Sequence, residues 1–238
     1  MPTTLTIAIG LALSAAAALP AARFKVLTSS GAWATLVVGT VLFVGGGWRW
    51  LVLVGIFSAT SSLLTRWEPK GIGVARPSSD LNGRRWDQVI ANGGVATLAA
   101  GVHALWGWPL AFSAAAGAIA AAAADTWATE VGRWSRTKPH LITTGRPVPH
   151  GVSGGITPVG TAGALAGALL ICAAAAILAP AGPGRGGGLP TLVAGFSGAM
   201  LDSLLGATIE GRCRWVDNSA VNLLATAWGA GVVVVLMH

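Results

Sequence analysis

An all-α, polytopic membrane protein of about eight transmembrane helices, with both termini outside, is the fold class this sequence predicts. Three observations predict it. The chain of 238 residues is 53% apolar and only 10% charged, where a soluble domain carries about a quarter charged residues. Apolar stretches of spanning length recur from end to end, so residues 1–238 read as a single integral membrane domain. Of the 15 Lys and Arg, all but Arg49 and Arg185 fall in alternate connections, as positive-inside sorting requires.

The first stretch, 3–21, has the small-residue tail of a signal peptide but lacks the positively charged start one needs, so it reads as a retained helix. The next two, 31–46 and 48–65, are separated only by Gly45-Gly46-Gly47 and read as a hairpin. Stretches 88–106 and 109–129 meet at Trp108-Pro109, 156–179 and 190–209 flank "PAGPGRGGGLP", and 218–237 closes the chain. The connections after the first, third, fifth and seventh stretches are basic. They hold Arg23 and Lys25; Arg66, Lys70, Arg76, Arg84 and Arg85; Arg133, Arg136, Lys138 and Arg146; and Arg212 and Arg214. That puts the odd-numbered connections in the cytoplasm of a multi-pass cell-membrane protein, with a bacterial inner or plasma membrane as the expected home.

The acids are equally one-sided. All 8 (Glu68, Asp80, Asp87, Asp125, Glu130, Asp202, Glu210, Asp217) lie in or beside the basic connections. Sorting rules hardly constrain acids, so a polar site at the cytoplasmic face is the economical cause. The net charge of +7 suits a phosphorylated ligand there. Two segments also read as a parallel repeat, helices 4–5 against helices 6–7. It pairs Asn92-Gly93-Gly94 with Ser153-Gly154-Gly155, and Asp125-Thr126 with Asp202-Ser203.

Asp125 and Asp202 stand one to two turns inside apolar helices, where a carboxylate costs up to about 3 kcal/mol. Hard oxygen donors of this kind suit Mg²⁺ held jointly with substrate phosphates. Glu130 follows Asp125 by five residues, about 140° around a helix, and joins it only if the helix ends between them; Gly132 marks an ending nearby. It is expected either as a further metal ligand or as an arginine partner. Glu210 reads as freely solvated in the last connection. The segment "TTGRPVPHGVSGGITPVG" (143–160) enters a helix through glycines whose N–H groups can cradle an anion, with no Walker Gly-Lys-Ser/Thr. "GRRWDQVIANGG" (83–94) is a second basic-to-glycine stretch, with Arg85 and Asn92 as donors.

Other chemistries find little support. Cys172 and Cys213 form no CxxC, and the 4 His form no zinc-binding spacing. The Trp residues (48, 50, 67, 106, 108, 134 and 215) fall at helix ends and read as an interfacial belt, not a nucleic-acid stacking platform. His103 reads as a buried or interface histidine.

Six segments resemble the integral-membrane family typified by plant phytyl-phosphate kinase: "LTSSGAWATLVVGT", "GRRWDQVIANGGVATL", "ADTWATEVG", "KPHLITTGRPVPHGVSGGITPVGT", "LDSLLGAT" and "VNLL". The sequence departs from that pattern at Val152, His140 and Asp217-Asn218. The resemblance implies phosphoryl transfer from a nucleoside triphosphate, often CTP, to a prenyl monophosphate in the membrane, giving the diphosphate. It implies Mg²⁺ on Asp125, Asp202 and Glu130. Lys138 would act with Arg133, Arg146 and the 151–157 loop (Gly151, Ser153, Gly154, Gly155, Thr157) on the phosphates, and Asn222 marks the last segment. The rival expectation is a transporter or flippase of a lipid phosphate, using the same carboxylates for cation coupling. Alternating access favours a midplane site, whereas the charges here crowd one face.

Overall fold

The computed structural model describes residues 3–67, 83–180, 187–212 and 215–238. Glu68, Lys70, Arg76, Asp80, Arg185 and Arg214 from the charge count lie outside them, as does Cys213. The described residues form eight helices, α1 (Thr4–Arg23), α2 (Ser29–Gly46), α3 (Trp48–Arg66), α4 (Trp86–Trp106), α5 (Ala111–Gly132), α6 (Pro158–Leu178), α7 (Gly188–Thr208) and α8 (Asn218–Met237). Between α5 and α6 lie two short strands, β1 (His140–Leu141) and β2 (Gly155–Ile156), paired antiparallel.

Helix limits follow local chemistry. Thr28, Thr157 and Asp217 stand at the N-caps of α2, α6 and α8, where their side-chain oxygens accept from Gly31, Gly160 and Ala220 N–H at 3.1, 2.9 and 2.9 Å. Pro158 follows at the first position of α6, where its missing N–H costs nothing. Gly47 and Gly107, at φ 78° and 63°, end α2 and α4 in conformations that side chains resist.

Seven helices, all but α5, are long and apolar enough to cross a membrane. The exception is the centre of the molecule. Residues 111–124 are all buried, and α5 packs against α3, α4, α6, α7 and α8. A helix enclosed by other helices has no need of lipid-soluble side chains. Alanine in place of leucine lets its neighbours approach closely, which is how helices associate where lipid removes the hydrophobic drive. The neighbours reciprocate with glycine. A Cβ on Gly160, Gly163 or Gly167 of α6 would fall 2.8–2.9 Å from the carbonyl oxygens of Ala128, Trp127 and Ala123. On α7, one on Gly195 would lie 2.9 Å from Ala120 Cβ and one on Gly198 2.5 Å from Ala121 Cβ. Gly229 of α8 abuts the Gly117 carbonyl in the same way.

The tryptophans divide. Trp48, Trp67, Trp106 and Trp215 are exposed, as a belt requires, but Trp50 is only 4% exposed. It packs edge-on to Phe112 at 5.6 Å and stacks on His103 at 6.1 Å, so it belongs to the core instead. His103 is an interface residue, its Nδ1 2.9 Å from the Trp108 carbonyl.

Candidate functional site

The C-terminal turns of α5 and α7 meet, and each brings an acid. The Asp125 and Asp202 carboxyls lie within hydrogen-bonding reach of each other, and the charge of Glu210 acts on both. Two carboxyl groups approach this closely only across a shared proton or a cation. Asp202 Oδ2 is shielded from solvent with no hydrogen-bond partner. Helix C-termini carry a partial negative charge, which makes acids there unfavourable by a few tenths to 1 kcal/mol each and favours a cation. Two hard oxygen donors with one coordination direction unfilled fit Mg²⁺, which takes one or two carboxylates and draws its remaining ligands from phosphates and water. Among the described residues no three His, Cys, Asp or Glu side chains are close enough to enclose a metal by themselves.

The chain bends back at Glu210, which is half-buried. Its N–H bonds back to the Leu205 carbonyl at 3.1 Å, curling the chain over the end of α7. Its Oε2 would lie 3.3 Å from a Cβ on Gly206, on the α7 face one turn beyond Asp202. Nothing local in the sequence marks this reversal except Gly211, whose φ of 69° follows it.

The basic connection folds back onto the same place. Leu141 N–H bonds the Arg146 carbonyl and Val148 N–H the Pro139 carbonyl, both at 2.9 Å, closing a hairpin whose turn needs Gly145 at φ 65°. Ile142 N–H bonds the Gly154 carbonyl at 2.9 Å, and Gly155 joins β2. Gly154, at φ 78°, lies flat on α7: a Cβ there would be 2.6 Å from the Ser203 carbonyl, one residue from Asp202. The glycine segment is thus a docked strand, and not the run of N–H groups entering a helix that its composition suggests. Gly151, Ser153, Lys138 and Arg146 are exposed on it, and Arg133 is partly buried. Thr157 is buried, and its hydroxyl oxygen caps α6 by accepting from Gly160 N–H, which leaves its O–H as a donor.

Across the face, α4 and α8 present their N-termini. Arg85 is exposed and bonds both oxygens of Asp87 at 3.0 Å, and Ser219 Oγ also donates to Asp87 at 3.0 Å. One turn further, Thr226 donates to the Ala91 carbonyl at 3.0 Å. Asn222 lies between Ser219 and Thr226 on that α8 face, whereas Asn92, the residue after Ala91, is turned about 100° from it around α4. The expected repeat therefore holds for the aspartates and fails for the glycines. Gly93 and Gly94 are inside α4, whereas Gly154 lies in a turn and Gly155 opens β2 before α6.

Glu130 does not join the aspartates. The helix continues unbroken to Gly132, so the two acids stay on different faces. Glu130 is 9% exposed, accepts from Thr65 Oγ1 of α3 at 2.8 Å, and acts electrostatically on Arg84. Arg84 is the residue sequence reasoning missed. In "GRRW" nothing local separates it from Arg85, yet Arg84 turns inward over the Phe57 ring at 5.7 Å while Arg85 faces out. Burial lowers the Arg84 guanidinium from its ordinary value, and the Glu130 charge works the other way.

Comparison with known proteins extends across this architecture. Residues 12–230 match the family described as Integral membrane protein DUF92. An "Uncharacterized membrane protein MJ0933" of Methanocaldococcus jannaschii is 30% identical, covering 100% of this chain and 97% of that protein. The "Uncharacterized membrane protein sll0875" of Synechocystis is 32% identical over 88% of this chain and 82% of its own length. "Protein PGR" of Arabidopsis thaliana is 32% identical over 78% and 73%. No solved structure matches.

Proposed function

The chain belongs to the DUF92 family of integral membrane proteins, and from that premise we propose that it is a membrane kinase. It transfers a phosphoryl group from a nucleoside triphosphate, CTP among them, to an isoprenoid monophosphate of the phytyl or geranylgeranyl type. One observation carries the reading. Two aspartates far apart in sequence come within hydrogen-bonding reach at the end of the central helix, with a basic hairpin docked one residue from the second.

The reaction suits such a site. An acceptor phosphate oxygen is already anionic, so it can attack the terminal phosphorus without a strong base. The new P–O bond forms as the bond to the nucleoside diphosphate breaks, and what is needed is alignment and charge neutralisation. Mg²⁺ on Asp125 and Asp202 would neutralise the nucleotide phosphates. Lys138 and Arg146, exposed on the hairpin, would draw phosphate oxygens toward that end of the bundle. Gly151 and Ser153 would offer uncommitted donors beside them. The N-termini of α4 and α8, with Arg85, Asn92 and Asn222, add positive potential from the other side. Membrane lipid surrounds the helices and admits the isoprenoid tail laterally, which gives a phosphotransferase a reason to be almost wholly transmembrane. The basic connections place this site on the cytoplasmic side of the cell membrane in this reading.

The test is purified protein with labelled nucleoside triphosphate, Mg²⁺ and phytyl or geranylgeranyl phosphate, followed by lipid chromatography. Labelled diphosphate is the expected product, and Asp125→Asn or Asp202→Asn abolishes it while the protein stays folded. Lipid binding without diphosphate formation, for every nucleotide and chain length tried, would overturn the kinase reading and favour a transporter of the same lipid phosphate.

A further inference from the structure

Three parts of the cytoplasmic face converge on Gly206 of α7. A Cβ there would lie 3.1 Å from Gly154 N, 3.3 Å from Glu210 Oε2 and 3.4 Å from Ser153 Cβ. The missing side chain leaves a recess, walled by the docked hairpin on one side and by the Glu210 carboxylate on the other. The polar groups beside it are already engaged. Gly155 N–H bonds the Val152 carbonyl at 3.0 Å, and the Gly154 carbonyl accepts from Ile142 N–H. Arg212, the next basic side chain along, gives its guanidinium to the Ala207 carbonyl at 3.3 Å instead of to Glu210. Among the described residues the Gly154 N–H and the Glu210 carboxylate have no hydrogen-bond partner of their own.

The chemistry of the recess selects its occupant. A phosphate is turned away, because a carboxylate repels it at close range. A hydroxyl fits, since it donates to the carboxylate and accepts from the N–H. A vicinal pair of hydroxyls uses both carboxylate oxygens, as acidic side chains do with ribose in dinucleotide sites. The position agrees. Gly206 is one turn, about 6 Å, beyond Asp202 toward the end of α7. A triphosphate whose reacting end lies at the aspartates therefore leads its sugar outward past this point.

We propose that Glu210, the Gly154 N–H and the bare surface of Gly206 form a seat for the ribose diol of the donor nucleotide. The phosphotransfer reading supplies the nucleotide, and the seat says which part of it the chain reads. Every ribonucleotide carries the diol, so selection here is by sugar and not by base.

The experiment is equilibrium dialysis in detergent with Mg²⁺, using labelled CTP, ATP, 2′,3′-dideoxy-CTP and inorganic tripolyphosphate. Wild type should bind CTP and ATP about fivefold or more tighter than the dideoxynucleotide, as expected for hydrogen bonds to a charged group at a half-open site. Glu210→Ala should lose that preference. The ratio is the readout, because removing a negative charge also strengthens the binding of any polyanion. Gly206→Ala keeps the carboxylate and fills the recess, so it should lose the same preference with tripolyphosphate binding unchanged. Equal binding of CTP and its dideoxy form by wild type, with tripolyphosphate bound, would overturn the seat and leave the phosphotransfer reading standing. So would a preference that follows the base, or one that survives both substitutions. Failure of tripolyphosphate and every nucleotide to bind would overturn the phosphotransfer reading and the seat with it.

Discussion

Replacing Asp202 by Asn should make the metal-free protein more stable. Asp125 and Asp202 are within hydrogen-bonding reach, and Glu210 adds a third negative charge. Two unit charges about 4 Å apart interact by about 4 kcal/mol at the effective dielectric of 20 that fits partly buried sites. That is the ceiling, because a shared proton already relieves part of it, and a gain of about 1–3 kcal/mol is the working expectation. The asparagine amide can also donate to Asp125. For a chain of this size each kcal/mol moves the unfolding midpoint by about 2–4 °C, so Asp202→Asn should melt roughly 2–12 °C above wild type in EDTA. Addition of millimolar Mg²⁺ should stabilise wild type by mass action and leave the variant unmoved. Differential scanning fluorimetry in detergent with EDTA and Mg²⁺ arms measures both. A variant that melts below wild type in EDTA and still gains from Mg²⁺ would refute the repulsion and the metal assignment together.

Other outcomes follow from the packing and the caps. Gly163→Leu, whose Cβ would fall 2.8 Å from the Trp127 carbonyl and 2.9 Å from Val131 Cβ, should cost about 1–3 kcal/mol. Gly101→Ala, with nothing within 4 Å, should be neutral or stabilising by up to about 1 kcal/mol, and the same melting assay reads both. Thr157→Ala should destabilise by about 0.5–2 kcal/mol through loss of the α6 cap, while Thr157→Ser should be near neutral, and neither should change nucleotide binding in a filter assay. Gly154→Ala should raise the nucleotide KM more than it lowers kcat, because it lifts the basic hairpin from α7 without touching the aspartates.

The eight helices were legible because a bilayer demands long apolar runs and because glycine, proline and capping residues punctuate them. The expected stretch 48–65 and the observed α3 differ by one residue at one end. The convergence of Asp125 and Asp202 was legible too, since a carboxylate in an apolar helix calls for a partner. What escaped was set by rotation about helix axes and by chain reversals. Whether Glu130 joins Asp125 depended on one more turn of α5, and whether Arg84 or Arg85 faces inward depended on the turn at Val26–Thr28, far away in sequence. Glu210 looked solvated because the bond that bends it back belongs to the backbone. The cap that Thr157 makes on α6 was legible only as a hydroxyl before Pro158, because a capping hydroxyl and a phosphate-binding hydroxyl are the same chemical group. The centrality of α5 was visible only as an excess of alanine, which a lipid-facing helix could also carry.

That enclosed helix has a consequence for how the protein is made. Insertion machinery judges each segment by its affinity for lipid as it emerges, and α5 is the one described helix outside the seven that are long and apolar enough to cross a membrane. Three of its five neighbours, α6, α7 and α8, are synthesised after it. During biogenesis α5 must therefore wait, held by the flanking α4 or by the translocation machinery, until its later neighbours arrive to wrap it. Truncation after α5 should leave a chain that fails to integrate or is rapidly degraded, and Asp125 would meet Asp202 only once α7 has been made.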